Sequence, residues 1–147
     1  MSLASLNFAE AANEGRPMTV LHPIDRTALL DADKKPVTIS LLGRDSDAFV
    51  TAENAARNRS VEQLTSGAKF SAAASDEETA DILAKITTGW SGVVQGWIDN
   101  TDDNTPAKFS TAAAKKLYQN RGLRWVRDQA DKFIGDRANF LKASQTN

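Results

Sequence analysis

The chain has 147 residues, of which 41% are hydrophobic and 25% are charged, close to average globular usage. This length and composition predict one folded domain over residues 1–147, and they exclude a many-domain enzyme and wholesale disorder. The absence of cysteine excludes disulfides and thiolate chemistry. Because no apolar run approaches the ~18 residues of a membrane span and the start lacks a secretory pattern, we expect a cytoplasmic protein with no membrane partner.

The charges are unevenly distributed, although the formal net charge is only −1. Residues 75–103 hold seven carboxylates against one cation, Lys85, whereas residues 106–142 hold nine cations against three carboxylates. Segments of opposite charge attract, so the pattern predicts contacts between these two segments or between neighbouring copies of the chain. Two solvated helix faces of unlike sign are the alternative interpretation.

The first elements along the chain are a short helix and two strands. Residues from Ser5 or Asn7 to Glu14 have the pattern of an amphipathic helix followed by a glycine and a proline. Strands are predicted at 18–22 and 36–42, where apolar and polar residues alternate most clearly in the second run. We expect the two strands to pair as an antiparallel hairpin or small sheet, which must pack on other elements because a lone hairpin is marginally stable.

A helix is predicted directly after the second strand. Asp45, Ser46 and Asp47 offer an N-cap and an acidic first turn, and apolar residues then recur at helical spacing until Gly67. The small and polar residues at 67–74 are typical of a linker. The predicted helix and linker therefore connect the two strands to the second half of the chain.

The clearest helix start is Ser75-Asp-Glu-Glu78, which matches the capping-box pattern. The apolar residues that follow predict a single helix with a wide apolar stripe, formed by Ile82, Leu83, Ile86, Trp90, Val93, Val94 and Trp97. Three glycines in the same stretch disfavour helix by about 1 kcal/mol each when exposed, which indicates a kink or close packing.

A loop at 99–106, a helix capped by Ser110 and a last helix after Gly122 complete the chain. The predicted fold class is therefore α+β, mainly α. It consists of a small N-terminal antiparallel β hairpin or sheet, at about 18–43, packed on about four helices at about 45–142.

The sequence contains no motif that is typical of a catalytic site or of a metal-binding site. His22 is the one histidine, and neither a nucleophile motif nor a phosphate-binding loop accompanies it. The acidic loop at 99–103 lacks the glycine and the glutamate that an EF-hand requires at its sixth and twelfth positions. We therefore predict a protein that is not an enzyme and has no cofactor or metal.

Nucleic-acid binding is one alternative. The C-terminal helices interleave cations with aromatic residues, a combination that can neutralise phosphates and stack on bases: Lys115, Lys116, Arg121, Arg124 and Arg127 with Tyr118 and Trp125. The overall net charge of −1 argues against this interpretation, because nucleic-acid-binding domains are usually basic.

Several short segments resemble, in their order and spacing, the tail assembly chaperones of long-tailed bacteriophages. The resemblance covers roughly residues 18–143 and is carried by Leu21–Asp25 (LHPID), Asp33–Asp47 (DKKPVTISLLGRDSD), Arg57–Arg59 (RNR), Thr88–Gly92 (TGWSG), Phe109-Ser110, Leu117-Tyr118 and Ala138–Leu141 (ANFL). It implies a non-enzymatic protein that binds the tape measure protein, helps recruit tail tube subunits and acts in the cytoplasm of the bacterial host. The first alternative is a permanent virion subunit of the tail, the neck or head–tail connector, or the capsid surface, and nucleic-acid binding is the second.

A binding mechanism can be predicted alongside the resemblance. A long client helix with an apolar stripe needs an apolar groove, and the predicted helix offers Ile86, Trp90, Val93 and Trp97 for one. Tryptophan and arginine are enriched at interfaces, which adds Arg121, Arg124 and Trp125 to the candidate partner-binding residues. Self-association through the oppositely charged segments is also expected.

Overall fold

The computed structural model describes residues 7–65 and 72–140, and within them the fold is α+β and mainly α, as predicted. The elements in chain order are α1 (Phe8–Asn13), β1 (Arg16–Thr19), β2 (Thr38–Leu41), α2 (Asp47–Thr65), α3 (Ala72–Ile86), β3 (Thr87–Ser91), α4 (Gln95–Asp99), α5 (Thr111–Gln119) and α6 (Arg124–Gly135). Two 3-10 turns, Arg121–Leu123 and Arg137–Phe140, flank α6. No helix in these two ranges has the length and apolar character needed to cross a membrane.

The three strands form one antiparallel sheet in the order β1-β2-β3. Met18 lies opposite Ile39, and Ile39 lies opposite Trp90 on the other side. The predicted pairing of the first two strands is confirmed. The third strand was not predicted, and it comes from the part of the chain that was expected to be helical.

The prediction of one helix from residue 75 through 97 is wrong, because the chain leaves the helical conformation after Ile86. Thr87–Ser91 contains two threonines and a tryptophan, which favour a strand. Gly92 then adopts a φ of +86°, a conformation that glycine tolerates and that ends the strand. Trp97 lies on the separate short helix α4. The predicted stripe is therefore divided among α3, β3, the connection between β3 and α4, and α4, and most of its side chains pack against the same core.

Helix α3 begins at Ala72, so Ser75 lies inside it and is not its N-cap. The predicted linker at 67–74 is helical from Ala72 onward, and residues 67–71 lie outside the described ranges. Three consecutive alanines precede Ser75, and alanine has the highest helix propensity. The small residues that suggest a linker therefore also permit an additional helical turn.

Side-chain caps begin three helices where the sequence predicts them. Asn7 caps α1, Ser46 caps α2 and Ser110 caps α5, and in each case a side-chain oxygen accepts a hydrogen bond from a backbone amide two or three residues later. Ser46 is completely buried, so this hydrogen bond also satisfies a polar group that would otherwise be buried alone. About four helices are predicted after the β unit, and the described residues form five there, α2 to α6, because α4 is a separate short helix; α1 corresponds to the predicted N-terminal helix.

One core joins the sheet to the helices, with α3 packed against α5 at its centre. The largest fully buried side chains come from both layers and include Val20, Ile39, Leu41, Leu83, Ile86, Val93, Leu117, Val126, Ile134 and Phe140. Burial of each such side chain stabilises the fold by roughly 1.5–3 kcal/mol.

The connection between β2 and α2 is held against the end of the described chain. A Cβ at Gly43 would lie 2.8 Å from the Cβ of Ala12 and 3.2 Å from the Phe140 ring, so only glycine fits there. Asp45 accepts two hydrogen bonds from the Arg137 guanidinium, at 2.7 and 3.0 Å. We call the contact between 43–47 and 137–140 the corner.

Candidate interaction site

Two of the predicted partner-binding residues belong to the core. Ile86 is fully buried at the end of α3, and Val93 is only 1% exposed between β3 and α4. Neither side chain can reach a partner in this structure. The predicted apolar groove along one helix is therefore absent in the form that the sequence suggested.

Trp90 lies on β3, where its ring is half-buried and packs edge-on against Phe109 with centroids 5.0 Å apart. Its indole Nε1 donates a hydrogen bond to the Ala107 carbonyl oxygen at 2.9 Å. Both contacts fix the segment before α5 to the sheet. The position of Trp90 is explained by packing within the chain.

Trp97 and Trp125 meet in an edge-on pair with centroids 6.0 Å apart, and both are partly buried against the core. Asn120 joins α4 to the α5–α6 junction, because its Nδ2 donates to the Trp97 carbonyl oxygen at 3.1 Å. The pair places aromatic surface at the outside of the helical layer, next to this junction.

A cleft of 580 Å³ lies between the first turns of α3 and the α5–α6 junction. Asp76 accepts hydrogen bonds from Arg124 at 2.6 Å and Arg127 at 3.3 Å. Arg121 also lines the cleft, and the described residues give it no ion-pair partner. Since Asn120 lines the cleft as well, the cleft and the tryptophan pair adjoin each other.

The ion pairs in the cleft change the pKa of Asp76. Burial raises the pKa of this carboxyl, but the hydrogen bond from Arg124 and the charges of Arg124 and Arg127 outweigh burial and hold the pKa below its usual value. Lys115 pairs in the same way with Glu77 at 3.8 Å and Asp81 at 3.7 Å. The predicted attraction between the acidic and basic segments is thus realised within the chain.

Four of the seven predicted partner-binding residues therefore lie at one end of the helical layer. We define the aromatic-arginine surface as Trp97, Arg121, Arg124 and Trp125. It combines partly buried rings, which keep a minor part of their surface open, with guanidinium groups, and both kinds of side chain contribute most to protein interfaces. Three of the C-terminal cations near it, Lys115, Arg124 and Arg127, already neutralise carboxylates and have less charge to offer to phosphates.

The remaining sequence candidates have structural roles. His22 Nδ1 accepts hydrogen bonds from the amides of Ile24 and Asp25, both at 3.1 Å, so the ring holds a turn. In the acidic loop, Asp103 accepts from the amide and the hydroxyl of Thr105. Across the described chain, no group of three or more His, Asp or Glu side chains is arranged to hold a metal ion.

Sequence reasoning missed a second surface, an apolar groove of 310 Å³ between the free edge of β1 and α6. Gln129 builds one wall by pairing with the main chain of Leu21: its Oε1 accepts from the Leu21 amide at 3.0 Å, and its Nε2 donates to the Leu21 carbonyl at 2.8 Å. Periodicity gives no signal for such a contact, because 108 residues separate the partners.

Comparison of the sequence with protein-family models and with curated proteins, and comparison of the structure with solved structures, found no match.

Proposed function

We propose that this chain is a non-enzymatic assembly chaperone of a long-tailed bacteriophage, which binds the tape measure protein in the host cytoplasm and helps recruit tail tube subunits. The proposal starts from the resemblance of its segments to those of tail assembly chaperones. The virion-subunit alternative is distinguished from it by whether the chain stays in the finished particle.

The corner is the observation that carries the proposal. Phe140, in one segment of the resemblance, lies against Gly43, in another segment about 90 residues earlier, and Arg137, directly before the later segment, bonds to Asp45. Next to the corner, Arg44 also forms an ion pair with Asp131 of α6, with the two side-chain atoms 3.1 Å apart. Sequence motifs that form one structural contact depend on each other and are expected to occur in the same chain. The corner contact therefore supports the interpretation that the order and spacing of these motifs are a family pattern.

The aromatic-arginine surface supports the client-binding part of the proposal. A helical client that keeps an apolar stripe exposed is bound by rings that remain partly open to solvent, as Trp97 and Trp125 do. Arg121 is exposed, and no ion pair within the described residues occupies it, so it can pair with a carboxylate of the client. Many copies along one long client gain by multivalency, so each contact can stay weak and reversible.

The test is co-expression with the tape measure protein of the same phage, followed by measurement of the soluble fraction of the client. The wild-type chain is expected to raise this fraction. Arg121→Glu reverses a charge at the surface without breaking an ion pair, so it is expected to reduce the co-purified client about tenfold, equivalent to about 1.4 kcal/mol.

Lys116→Glu is the matched control, because Lys116 is also exposed and unpaired among the described residues but does not line the cleft. It should bind the client as the wild type does. The proposal is contradicted if the wild-type chain leaves the client insoluble and does not co-purify with it. Equal loss of binding in both variants would show that the aromatic-arginine surface is not the client site.

A further inference from the structure

The loop between β1 and β2 holds a fixed turn at residues 22–27. The His22 amide donates to the Thr27 carbonyl at 2.7 Å, and the Arg26 amide donates to the His22 carbonyl at 3.0 Å. Inside the turn, the His22 ring accepts the amides of Ile24 and Asp25. These four hydrogen bonds leave little freedom to the backbone between them.

Ile24 projects from this turn and is 81% exposed. A single exposed apolar side chain is ordinary on a protein surface. Here, however, Arg26 adopts a φ of 61°, which is uncommon for residues other than glycine. Strain of this kind persists when surrounding contacts impose it, and the His22 hydrogen bonds do so here. The turn presents Ile24 in a defined position.

The apolar groove beside β1 begins at the base of the same turn. Met18 and Phe133 supply its apolar floor, and Thr19 and Leu21 lie along the β1 side. Ile24 does not fill this groove in its own chain, since most of its side-chain surface is open to solvent. One patch of the molecule therefore carries both a projecting apolar side chain and an apolar depression.

The charges beside the two features are complementary. Asp25 follows Ile24 and its side chain is 67% exposed. Lys132 lies on the α6 rim of the groove, is exposed, and pairs with no carboxylate among the residues that the structure describes; Arg26 and Asp136 also line the groove, so its charged lining is net positive. When a second copy of this chain packs against the first, Ile24 of one copy enters the groove of the other, and Asp25 approaches Lys132. A two-fold axis repeats the same contact in the opposite direction.

We propose that two copies of this chain associate through a two-fold interface in which Ile24 of each copy enters the apolar groove of the other and Asp25 pairs with Lys132. A second copy fits better than an unrelated partner, because this patch is complementary to itself. The interface lies apart from the aromatic-arginine surface, and the inference stands independently of the proposed function.

The first test is sedimentation velocity of the full chain from about 1 μM to about 1 mM. The wild type is expected to shift from monomer to dimer within this range. Ile24→Glu would bury a charge in the apolar groove and is expected to raise the dissociation constant at least about a hundredfold. Leu30→Glu is the matched control, because Leu30 is 57% exposed in the same connection but does not line the groove, and it should dimerise normally.

The second test reverses the charges. Asp25→Lys and Lys132→Glu should each weaken the dimer several-fold, and the double variant should recover most of the affinity because it restores the pair in the opposite sense. His22→Ala should also weaken the dimer by freeing the turn. His22→Asn should dimerise better than His22→Ala, since an asparagine oxygen can accept the same amides.

The inference is overturned if the wild type stays monomeric throughout the concentration range, if Ile24→Glu and Leu30→Glu behave alike, or if the double charge variant does not recover. Circular dichroism of every variant checks that it is folded. Both Ile24 and Leu30 are exposed, so neither substitution should disturb the core.

Discussion

Tyr118 and Thr87 form a buried polar pair in the centre of the helical layer. Tyr118 is 2% exposed, and its hydroxyl lies 2.8 Å from Thr87 Oγ1. The Thr87 hydroxyl donates its single hydrogen to the Leu83 carbonyl oxygen at 2.7 Å. Tyr118 must therefore be the donor to Thr87, which links α5 to the junction of α3 and β3.

Two substitutions distinguish the roles within this pair. Thr87→Val leaves the Tyr118 hydroxyl buried without an acceptor and should lower the free energy of unfolding by about 1–3 kcal/mol. Tyr118→Phe removes the donor but leaves Thr87 bonded to Leu83, so its effect should be smaller, about 1 kcal/mol. Urea unfolding of both variants measures the difference, and an equal or reversed order would contradict the assignment of the donor.

The same pair predicts a loss of stability in alkali. Burial raises the pKa of Tyr118 to about 12, and the hydrogen bond with Thr87 offsets only part of that rise. Between the ordinary value of 10 and about 12, the unfolded chain has lost the proton while the folded chain keeps it. The free energy of unfolding should therefore fall as pH rises through this window.

Tyr118 is the only tyrosine in the sequence, so the near-ultraviolet absorbance of tyrosinate reports on it alone. At about pH 11 the folded protein should show little tyrosinate, whereas the urea-unfolded protein should be largely ionised. Tyr118→Phe should lack the tyrosine contribution to the alkaline loss of stability. Ionisation near pH 10 in the folded state would be inconsistent with the buried pair.

At the scale of elements, the loop after α4 folds back tightly on the start of that helix. The Gly96 amide donates to the Asp103 carbonyl at 2.7 Å, and the Thr101 amide donates to the Gly96 carbonyl at 3.0 Å. A Cβ at position 96 would collide with the carbonyl oxygens of Thr101 and Asp103. Gly96 is therefore required for close approach of two backbone segments.

We expect Gly96→Ala to lower the free energy of unfolding by about 1–3 kcal/mol, because backbone atoms rather than flexible side chains must move. Gly89→Ala is the matched control: a Cβ there would meet nothing within 4 Å, and the residue lies in strand β3 with no positive φ. It should leave stability unchanged or slightly raised. Chemical denaturation of the two variants measures this, and equal destabilisation would contradict the described loop.

Local signals were sufficient for the caps at Ser46 and Ser110, which depend on residues close in the sequence, and strand alternation with turn residues between the strands was sufficient for the fold class and the β1–β2 pairing. They were insufficient for β3. Its spacing of apolar residues also fits a helix, and only pairing with β2 decides between the two. The glycines at 89, 92 and 96 and the strand preference of Thr87, Thr88 and Trp90 were the local signals against a continuous helix.

The candidate site could be predicted only in part. Trp97, Arg121, Arg124 and Trp125 were identified by residue type, but their position at one end of the helical layer depends on the Asn120 hydrogen bond and on helix packing. Ile86 and Val93 were assigned to a surface because one assumed helix gave them a common face. The groove beside β1 needs contacts between distant segments, which a single sequence does not encode locally.

At the scale of the whole molecule, ion pairs tie the acidic and basic segments together. Asp76 bonds to Arg124 and Arg127, and Asp81 and Glu77 lie near Lys115. Most of these side chains are partly exposed, so each pair is expected to contribute little alone and less in salt. Together they fix the start of α3 against α5 and α6.

Asp76→Asn tests this network. Because the folded-state pKa of Asp76 lies below its ordinary value of 3.8, its contribution to stability is present above about pH 4 and is lost as pH falls below that value. The variant should be less stable than the wild type near neutral pH, with a difference that shrinks in acid and in high salt. Asp102→Asn, at an exposed position in the acidic loop, is the control and should leave the stability near neutral pH unchanged.

We propose that the chain serves tail assembly and leaves before the tail is complete. A mass-spectrometric peptide map, comparing assembly intermediates with purified intact virions, tests it most directly. We predict peptides of this chain together with tape measure peptides in the intermediates and none from this chain in the virions. Stoichiometric amounts of the chain in intact virions would contradict the claim and identify a permanent structural subunit.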